Sequence, residues 1–157
     1  MNNMKPLPKL MIDADACPVP VREICVRAAR RLELELLLVA NQPLPRPKLA
    51  RARVVTVTAG FDAADDWLVE AAGAGDVVVT ADIPLAARLV AKAVHAINPR
   101  GTLYTPANIG EALSLRDFMD GMRSAGLAQS RSAPYGERDR QQFASALDRV
   151  LTQALRG

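Results

Sequence analysis

"MIDADACPVPVREICVRAARRL", residues 11–32, is the stretch that decides the fold. It begins with an apolar run typical of a buried strand and then places Asp13 and Asp15 one residue apart. The chain next enters a helix through Pro18 and Pro20, with apolar side chains on one face and basic ones on the other. A strand followed at once by an amphipathic helix predicts the first unit of an α/β fold.

Strand-like and helix-like segments alternate from this stretch as far as Asn98. Further strands are predicted at residues 34–40, 54–59, 76–82 and 94–98. Helices are predicted at residues 61–72 and from Pro84 onward. This alternation predicts an α/β fold with a mostly parallel central sheet and helices on both sides.

The pattern changes after Asn98, where residues 108–127 and 138–156 predict two further helices joined by a polar loop at 129–138. A chain of 157 residues is long enough for one domain with its own core, and no repeat is visible. We therefore expect one domain over residues 1–157. Its C-terminal helices, about residues 107–157, are expected to pack on the α/β core or on a second subunit of a homo-oligomer.

Composition excludes several classes of protein. The formal net charge of +3 is mild, so total charge alone does not indicate nucleic acid. With two cysteines and one histidine, the chain lacks the ligands of a zinc site, and Cys25 falls on the apolar stripe of its helix as a reduced core thiol. No segment resembles a signal peptide or a membrane span, so we expect a cytoplasmic protein without a membrane partner.

Aspartates follow three of the predicted strands, at the edge where parallel sheets bind ligands. These residues are Asp13, Asp15, Asp62, Asp65, Asp66 and Asp82. A single aspartate at a helix start is explained as an N-cap. One cap per helix is enough, so capping does not explain Asp15, Asp65 and Asp66. Crowded carboxylates repel one another, and a bound divalent cation offsets this repulsion. Oxygen ligands without histidine or thiolate favour Mg or Mn.

Basic and polar residues near the same strands are candidates for binding a phosphate-bearing substrate. Lys48 and Arg51 lie in a basic, proline-rich loop, and Asn98 and Arg100 lie in the turn "NPRG". If they face the aspartate edge, they are placed to hold phosphates while a metal polarises one of them and activates water. His95 is expected to be structural, and there is no glycine-rich phosphate loop.

Six motifs in order carry a resemblance to a known family: "DADACPVPVREI", "VANQPLPRP", "AGFDAADDWLV", "GDVVVTADIPLAA", "NPRG" and "LSLRDFMD". Together they resemble the YaiI/YqxD family, bacterial proteins without established function, over nearly the whole chain. That family is similar to the PIN-like fold and its NYN branch of metal-dependent ribonucleases. The resemblance implies a single-domain PIN-like three-layer sandwich.

The resemblance also implies roles for particular residues. Asp13, Asp65, Asp66 and Asp82 match the catalytic aspartates that surround Mg or Mn ions in such nucleases, with RNA as the expected substrate. The polar partner that often follows the first aspartate is missing, and Asp15 is the expected substitute as a metal ligand. A fourth acidic residue is absent as well, since alanines occupy residues 86 and 87.

Two other functions remain open. In a phosphatase of the haloacid dehalogenase type, Asp13 would be the nucleophile and Asp15 the acid and base, although "ACP" replaces the expected glycine and threonine. A non-catalytic RNA-binding or assembly module would use the basic loop of residues 46–53, which lacks aromatic residues for stacking bases. Such a module would show no dependence on divalent ions.

Overall fold

The computed structural model of the protein describes residues 6–58, 60, 62–127 and 133–157. Its strands and helices follow the predicted alternation. They are β1 (Leu10–Asp13), α1 (Val19–Leu32), β2 (Leu36–Ala40), β3 (Ala52–Thr56), α2 (Ala63–Ala71), β4 (Val77–Val79), α3 (Ile83–Val90), β5 (His95–Ile97), β6 (Leu103–Tyr104), α4 (Ile109–Ser124) and α5 (Glu137–Arg156). A short 3₁₀ turn, Ala14–Ala16, separates β1 from α1.

The six strands form one sheet in the order β3-β2-β1-β4-β5-β6. All neighbours are parallel except β6, which is antiparallel to β5. The prediction of a mostly parallel α/β sheet is therefore confirmed. The chain winds outward from β1 to β3 and then returns to the other side of β1 as β4. The order of the strands thus reverses between β1 and β4, and such a switch point is where open α/β sheets bind ligands.

Side chains alternate between the two faces of the sheet and build a core on each face. In β1, Leu10 and Ile12 join a cluster with α1 and α5, whereas Met11 joins a cluster with α2 and α3. The period of two along a strand produces this division. Helices therefore cover both faces, which makes the three layers that the resemblance implies.

α1 forms where the sequence combines a helix start with an apolar stripe. Pro18 precedes its first residue and Pro20 lies in its first turn, where the missing N–H of proline costs no hydrogen bond. Val21, Cys25 and Ala28 are buried at helical spacing. Cys25 is a free, fully buried thiol, so its predicted place in the core is confirmed.

The two C-terminal helices differ in how they contact the rest of the chain. α5 buries Phe143, Leu147 and Leu151 in the cluster that contains α1. α4 contacts α3, has no buried residue, and leaves Leu115 and Phe118 61% and 60% exposed. The homo-oligomer stays a prediction. No helix in the described ranges is long and apolar enough to cross a membrane.

Several boundaries differ from those predicted. The third strand starts at Ala52 rather than at residue 54, because its pairing with Leu36 of β2 extends it backward. β6 was missed, since two residues carry no periodic signal. Parts of three predicted elements lie outside the described residues. They are Ala59 at the end of a predicted strand, Phe61 at the start of a predicted helix, and residues 129–132 of the predicted polar loop.

Candidate functional site

Asp13 lies at the carboxyl end of β1, at the switch point of the sheet, and is only 3% exposed. Because Ile12 pairs with Val79, the last residue of β4, Asp13 is a neighbour of Thr80, which directly follows β4. The Thr80 hydroxyl donates a hydrogen bond to Oδ2 of Asp13 at 2.7 Å and accepts one from the backbone N–H of Asp82 at 3.0 Å. Thr80 therefore links the first and last aspartates of the predicted site.

Sequence reasoning missed Thr80, although a signal for it exists. It ends the apolar run "VVVT", two residues before Asp82, and is itself fully buried. A buried hydroxyl at the end of a strand needs a polar partner. The strand register that supplies Asp13 as that partner is a property of the assembled sheet.

Asp82 is the N-cap of α3. Its Oδ1 accepts a hydrogen bond from the backbone N–H of Leu85 at 3.1 Å, and Pro84 lies in the first turn of the helix. This contact is the ordinary capping interaction that the sequence also allowed. Oδ2 accepts no hydrogen bond from the described residues, so the cap leaves one carboxylate oxygen free.

Asp65 lies in the first turn of α2 and faces the same group of charges. Its pKa is raised from the ordinary value of 3.8 to about 6, mainly by burial and in addition by the negative charges of Asp82, Asp13 and Asp62. Arg88 acts in the opposite direction but does not offset them. The carboxylates that follow β1, β3 and β4 are therefore close enough for their charges to interact.

The pKa of Asp13 is raised as well. Burial is the main cause, the hydrogen bond from Thr80 lowers the pKa, and the charges of Asp82 and Asp15 raise it. Among the ion pairs of the described residues, none includes Asp13, Asp65 or Asp82. In the part of the chain that the structure describes, these three carboxylates therefore have no ion-pair partner, and the positive charge of Arg88 offsets the negative charges around Asp65 only in part.

The other two predicted ligands have different partners. Asp15 is exposed, and its Oδ2 accepts a hydrogen bond from the backbone N–H of Asn41 at 2.6 Å. It thereby ties the turn after β1 to the loop after β2. Asp66 is exposed and pairs with Arg88 at 2.9 Å. Both carboxylates hold local structure, which makes them less available as metal ligands than Asp13, Asp65 and Asp82.

The candidate donors are carboxylate oxygens, a type of ligand that suits Mg or Mn. Cys17 lies at the same edge, with Sγ 3.7 Å from the carbonyl oxygen of Val79. Burial and the charge of Asp13 raise its pKa to about 12, so the metal-free thiol is protonated at neutral pH. In the described ranges, no three acidic, histidine or cysteine side chains are yet grouped around a common metal position. Coordination by Asp13, Asp65 and Asp82 together would therefore require these side chains to move closer to one another.

Asn98 and Arg100 follow β5 and so lie toward the carboxyl edge, but both take part in the turn itself. Oδ1 of Asn98 accepts hydrogen bonds from the backbone N–H groups of Arg100 and Thr102, and its amide donates to the hydroxyl of Tyr104. The Arg100 guanidinium pairs with Asp139 at 2.8 Å. These contacts are structural, and binding of substrate by the two residues stays a prediction.

Lys48 and Arg51 lie at the opposite, amino edge of the sheet. The N–H of Leu36, at the start of β2, donates to the carbonyl oxygen of Arg51. The carbonyl oxygen of Lys48 accepts a hydrogen bond from Arg30, in the last turn of α1. Because β3 runs parallel to β2, the loop between them must return across the sheet before β3 begins. The expectation that Lys48 and Arg51 face the aspartates is therefore wrong.

Comparison with known proteins identifies relatives of this chain. The sequence profile described as "Uncharacterized BCR, YaiI/YqxD family" matches residues 11–153. A UPF0178 protein of Pseudoalteromonas atlantica is 51% identical over 145 residues, which are 92% of this chain and 99% of the relative. A UPF0178 protein of Trichlorobacter lovleyi is 53% identical over 147 residues, 94% of this chain and 96% of the relative. No solved structure gives a significant match.

Proposed function

Because the chain belongs to the YaiI/YqxD family, whose description states no activity, we propose a function from the chemistry of the carboxyl edge. We propose that the protein hydrolyses phosphodiester bonds in RNA with the aid of Mg or Mn. The observation that supports this proposal is the unpaired group Asp13, Asp65 and Asp82 at the switch point between β1 and β4. Burial and, to a smaller extent, the charges of neighbouring aspartates raise the pKa values of Asp13 and Asp65, and a divalent cation would offset both effects.

Two of these aspartates accept hydrogen bonds that orient their carboxylates. Asp13 is fixed by the Thr80 hydroxyl, and Asp82 is fixed by its contact with the start of α3. Preorganised ligands of this kind bind without a further loss of side-chain freedom. Asp65 is unconstrained by hydrogen bonds from the described residues, so it would complete the ligand set.

When bound, a divalent cation polarises a phosphoryl oxygen and lowers the pKa of a water molecule. Asp13 and Asp82 would hold the cation and thereby set the position of the phosphate. Asp65, with its pKa near 6, is also suited to accept a proton close to neutral pH. Protons and metal then compete for Asp65, so metal affinity should fall as the pH drops through about 6.

The decisive variant is Asp82→Asn, because asparagine caps a helix about as well as aspartate but carries no charge. We expect the metal-free variant to unfold at the same or a higher temperature, since repulsion is removed. Mn-dependent cleavage of labelled single-stranded RNA should fall at least about 100-fold. Asp117→Asn, on the exposed surface of α4, removes the same charge elsewhere and should cleave like wild type.

Each outcome separates the competing functions. Equal cleavage by wild type and Asp82→Asn would show that the proposed site is wrong. RNA binding without cleavage in any divalent ion would favour the binding module. Turnover of p-nitrophenyl phosphate without cleavage of RNA would favour the phosphatase. Mn should also raise the melting temperature of wild type by mass action, and an unchanged midpoint across a wide titration would exclude the metal.

A further inference from the structure

Five basic side chains surround the start of β3, on the edge of the sheet opposite the aspartates. We call them the amino-edge basic surface, which consists of Arg30, Arg46, Lys48, Arg51 and Arg53. All five are exposed. Among the ion pairs of the described residues, Arg53 alone of the five takes part, at 3.9 Å from Glu35. The positive charge of this surface is therefore largely uncompensated.

Backbone carbonyl oxygens orient the guanidinium groups of this surface. Arg30 donates a hydrogen bond to the carbonyl oxygen of Lys48 at 3.2 Å, and Arg46 donates to that of Ala52 at 2.9 Å. Arg51 donates to the C-cap carbonyl of α1 at 2.8 Å. Carbonyl oxygens hold the planar groups in place without neutralising them, so an incoming anion meets oriented charges that lose little freedom on binding.

Two adjoining grooves run along this surface. One of about 540 Å³ and one of about 280 Å³ share Ala50 and Arg51 as lining residues. Basic and aliphatic residues make up most of their lining, which contains no aromatic ring and one glutamate in each groove, Glu35 and Glu33. An extended, basic track without aromatic residues suits a chain of phosphates, contacted through the backbone rather than by stacking of bases.

We infer that the amino-edge basic surface binds the phosphate backbone of single-stranded RNA whose cleaved bond lies at the carboxyl edge. This inference rests on the proposed function for the identity of the substrate, and it adds the minimum length of RNA that can reach both edges of the sheet. β2 has five residues, so the two edges are about 16 Å apart at about 3.3 Å per residue. β3 lies two strands from β1, about 10 Å to the side. The combined separation of about 19 Å corresponds to about six nucleotides at a stacked rise of about 3.4 Å.

Binding is measured in EDTA, where no cleavage occurs, with labelled single-stranded RNAs of four and fifteen nucleotides. The test protein carries Arg30→Gln, Lys48→Gln and Arg51→Gln. The matched control carries Arg27→Gln, Arg149→Gln and Arg156→Gln, which remove the same charge from exposed positions elsewhere. A fourth protein, Lys48→Glu, changes a side chain without hydrogen bonds to the described residues, so it reports on charge without disturbing the loop.

We expect the test protein to bind the fifteen-nucleotide RNA at least about 10-fold more weakly than wild type. The slope of log affinity against log salt should fall by about 2, since each contact to a single strand contributes about 0.7. The control should change affinity less than about 2-fold, and Lys48→Glu should weaken binding about 3-fold or more. The four-nucleotide RNA offers fewer phosphates to this surface and should therefore bind wild type more weakly than the fifteen-nucleotide RNA does. Changing the base sequence of the longer RNA should have little effect.

Equal losses in the test and control proteins, or an unchanged salt slope, would overturn the inference. So would tight binding of an acidic protein with no binding of RNA, which would make this surface a protein interface. The inference and the proposed function fail separately. Length-dependent binding without cleavage would support RNA binding by this surface and overturn the proposed nuclease activity. Cleavage with unaltered binding by the test protein would overturn RNA binding by this surface and leave the proposed nuclease activity standing.

Discussion

Replacing Asp65 by asparagine tests whether the carboxyl edge of the sheet holds uncompensated charge. Burial and three neighbouring aspartates raise the Asp65 pKa from 3.8 to about 6, so the folded protein resists ionisation of this group. A shift of that size corresponds to about 3 kcal/mol. Asp65 is partly exposed, and screening by solvent reduces the effect on stability to about 1–2 kcal/mol.

The substitution also has a smaller unfavourable effect. Asp65 lies in the first turn of α2, where a negative charge is stabilised by the helix dipole by about 0.3–1 kcal/mol. The difference between the two effects is about 0–1.7 kcal/mol, and we expect metal-free Asp65→Asn to be about 1 kcal/mol more stable than wild type at pH 7. Its melting temperature should rise by about 1–5 °C.

The sign of the pH dependence follows from the raised pKa. Below 3.8, Asp65 is protonated in both the folded and the unfolded state, and its charge has no effect on stability. Between 3.8 and about 6, the folded state binds the proton more strongly than the unfolded state, so wild type loses stability as the pH rises. The advantage of Asp65→Asn should accordingly be small near pH 4 and complete by about pH 7.

Asp66→Asn is the matched control, because Asp66 is the next residue of the same helical turn but pairs with Arg88. Losing that exposed pair and the dipole contact should destabilise the control by about 0.5–1 kcal/mol at neutral pH. Urea unfolding of all three proteins between pH 4 and 7.5, in EDTA, measures these differences. If Asp65→Asn is no more stable than wild type at pH 7, or its advantage is independent of pH, the electrostatic reasoning is refuted. Mn should stabilise wild type more than Asp65→Asn.

Three further predictions concern the framework of the site. Thr80→Val keeps the shape of the side chain but removes the hydrogen bond to buried Asp13, and should destabilise the protein by about 1–3 kcal/mol in urea unfolding at neutral pH. Phe143→Ala leaves a cavity in the cluster between the sheet and α5, and should cost about 3–5 kcal/mol in the same assay. Gly101→Ala should lower the melting temperature, because φ is +95° and a Cβ would lie 2.8 Å from the carbonyl oxygen of Gln142.

Local patterns predicted the α/β class because they report on each segment by itself. The apolar run of β1, the prolines before α1 and the capping aspartate of α3 are readable without knowing what packs against them. Boundaries and β6 were less predictable, because pairing with a neighbouring strand decides where a strand ends. β3 shows this, since its first residue, Ala52, belongs to the strand only through Leu36.

The candidate site divides in the same way. Order along the chain was enough to place Asp13 and Asp82 at the carboxyl edge, because parallel strands end on the same side. Only the tertiary structure decided that Thr80 joins them, through the register of β1 against β4. It also decided that Lys48 and Arg51 lie at the other edge, because a loop that enters a parallel strand must first cross the sheet. Sequence determines which chemical groups are present and in what order, whereas strand register and the path of the loops determine which groups meet.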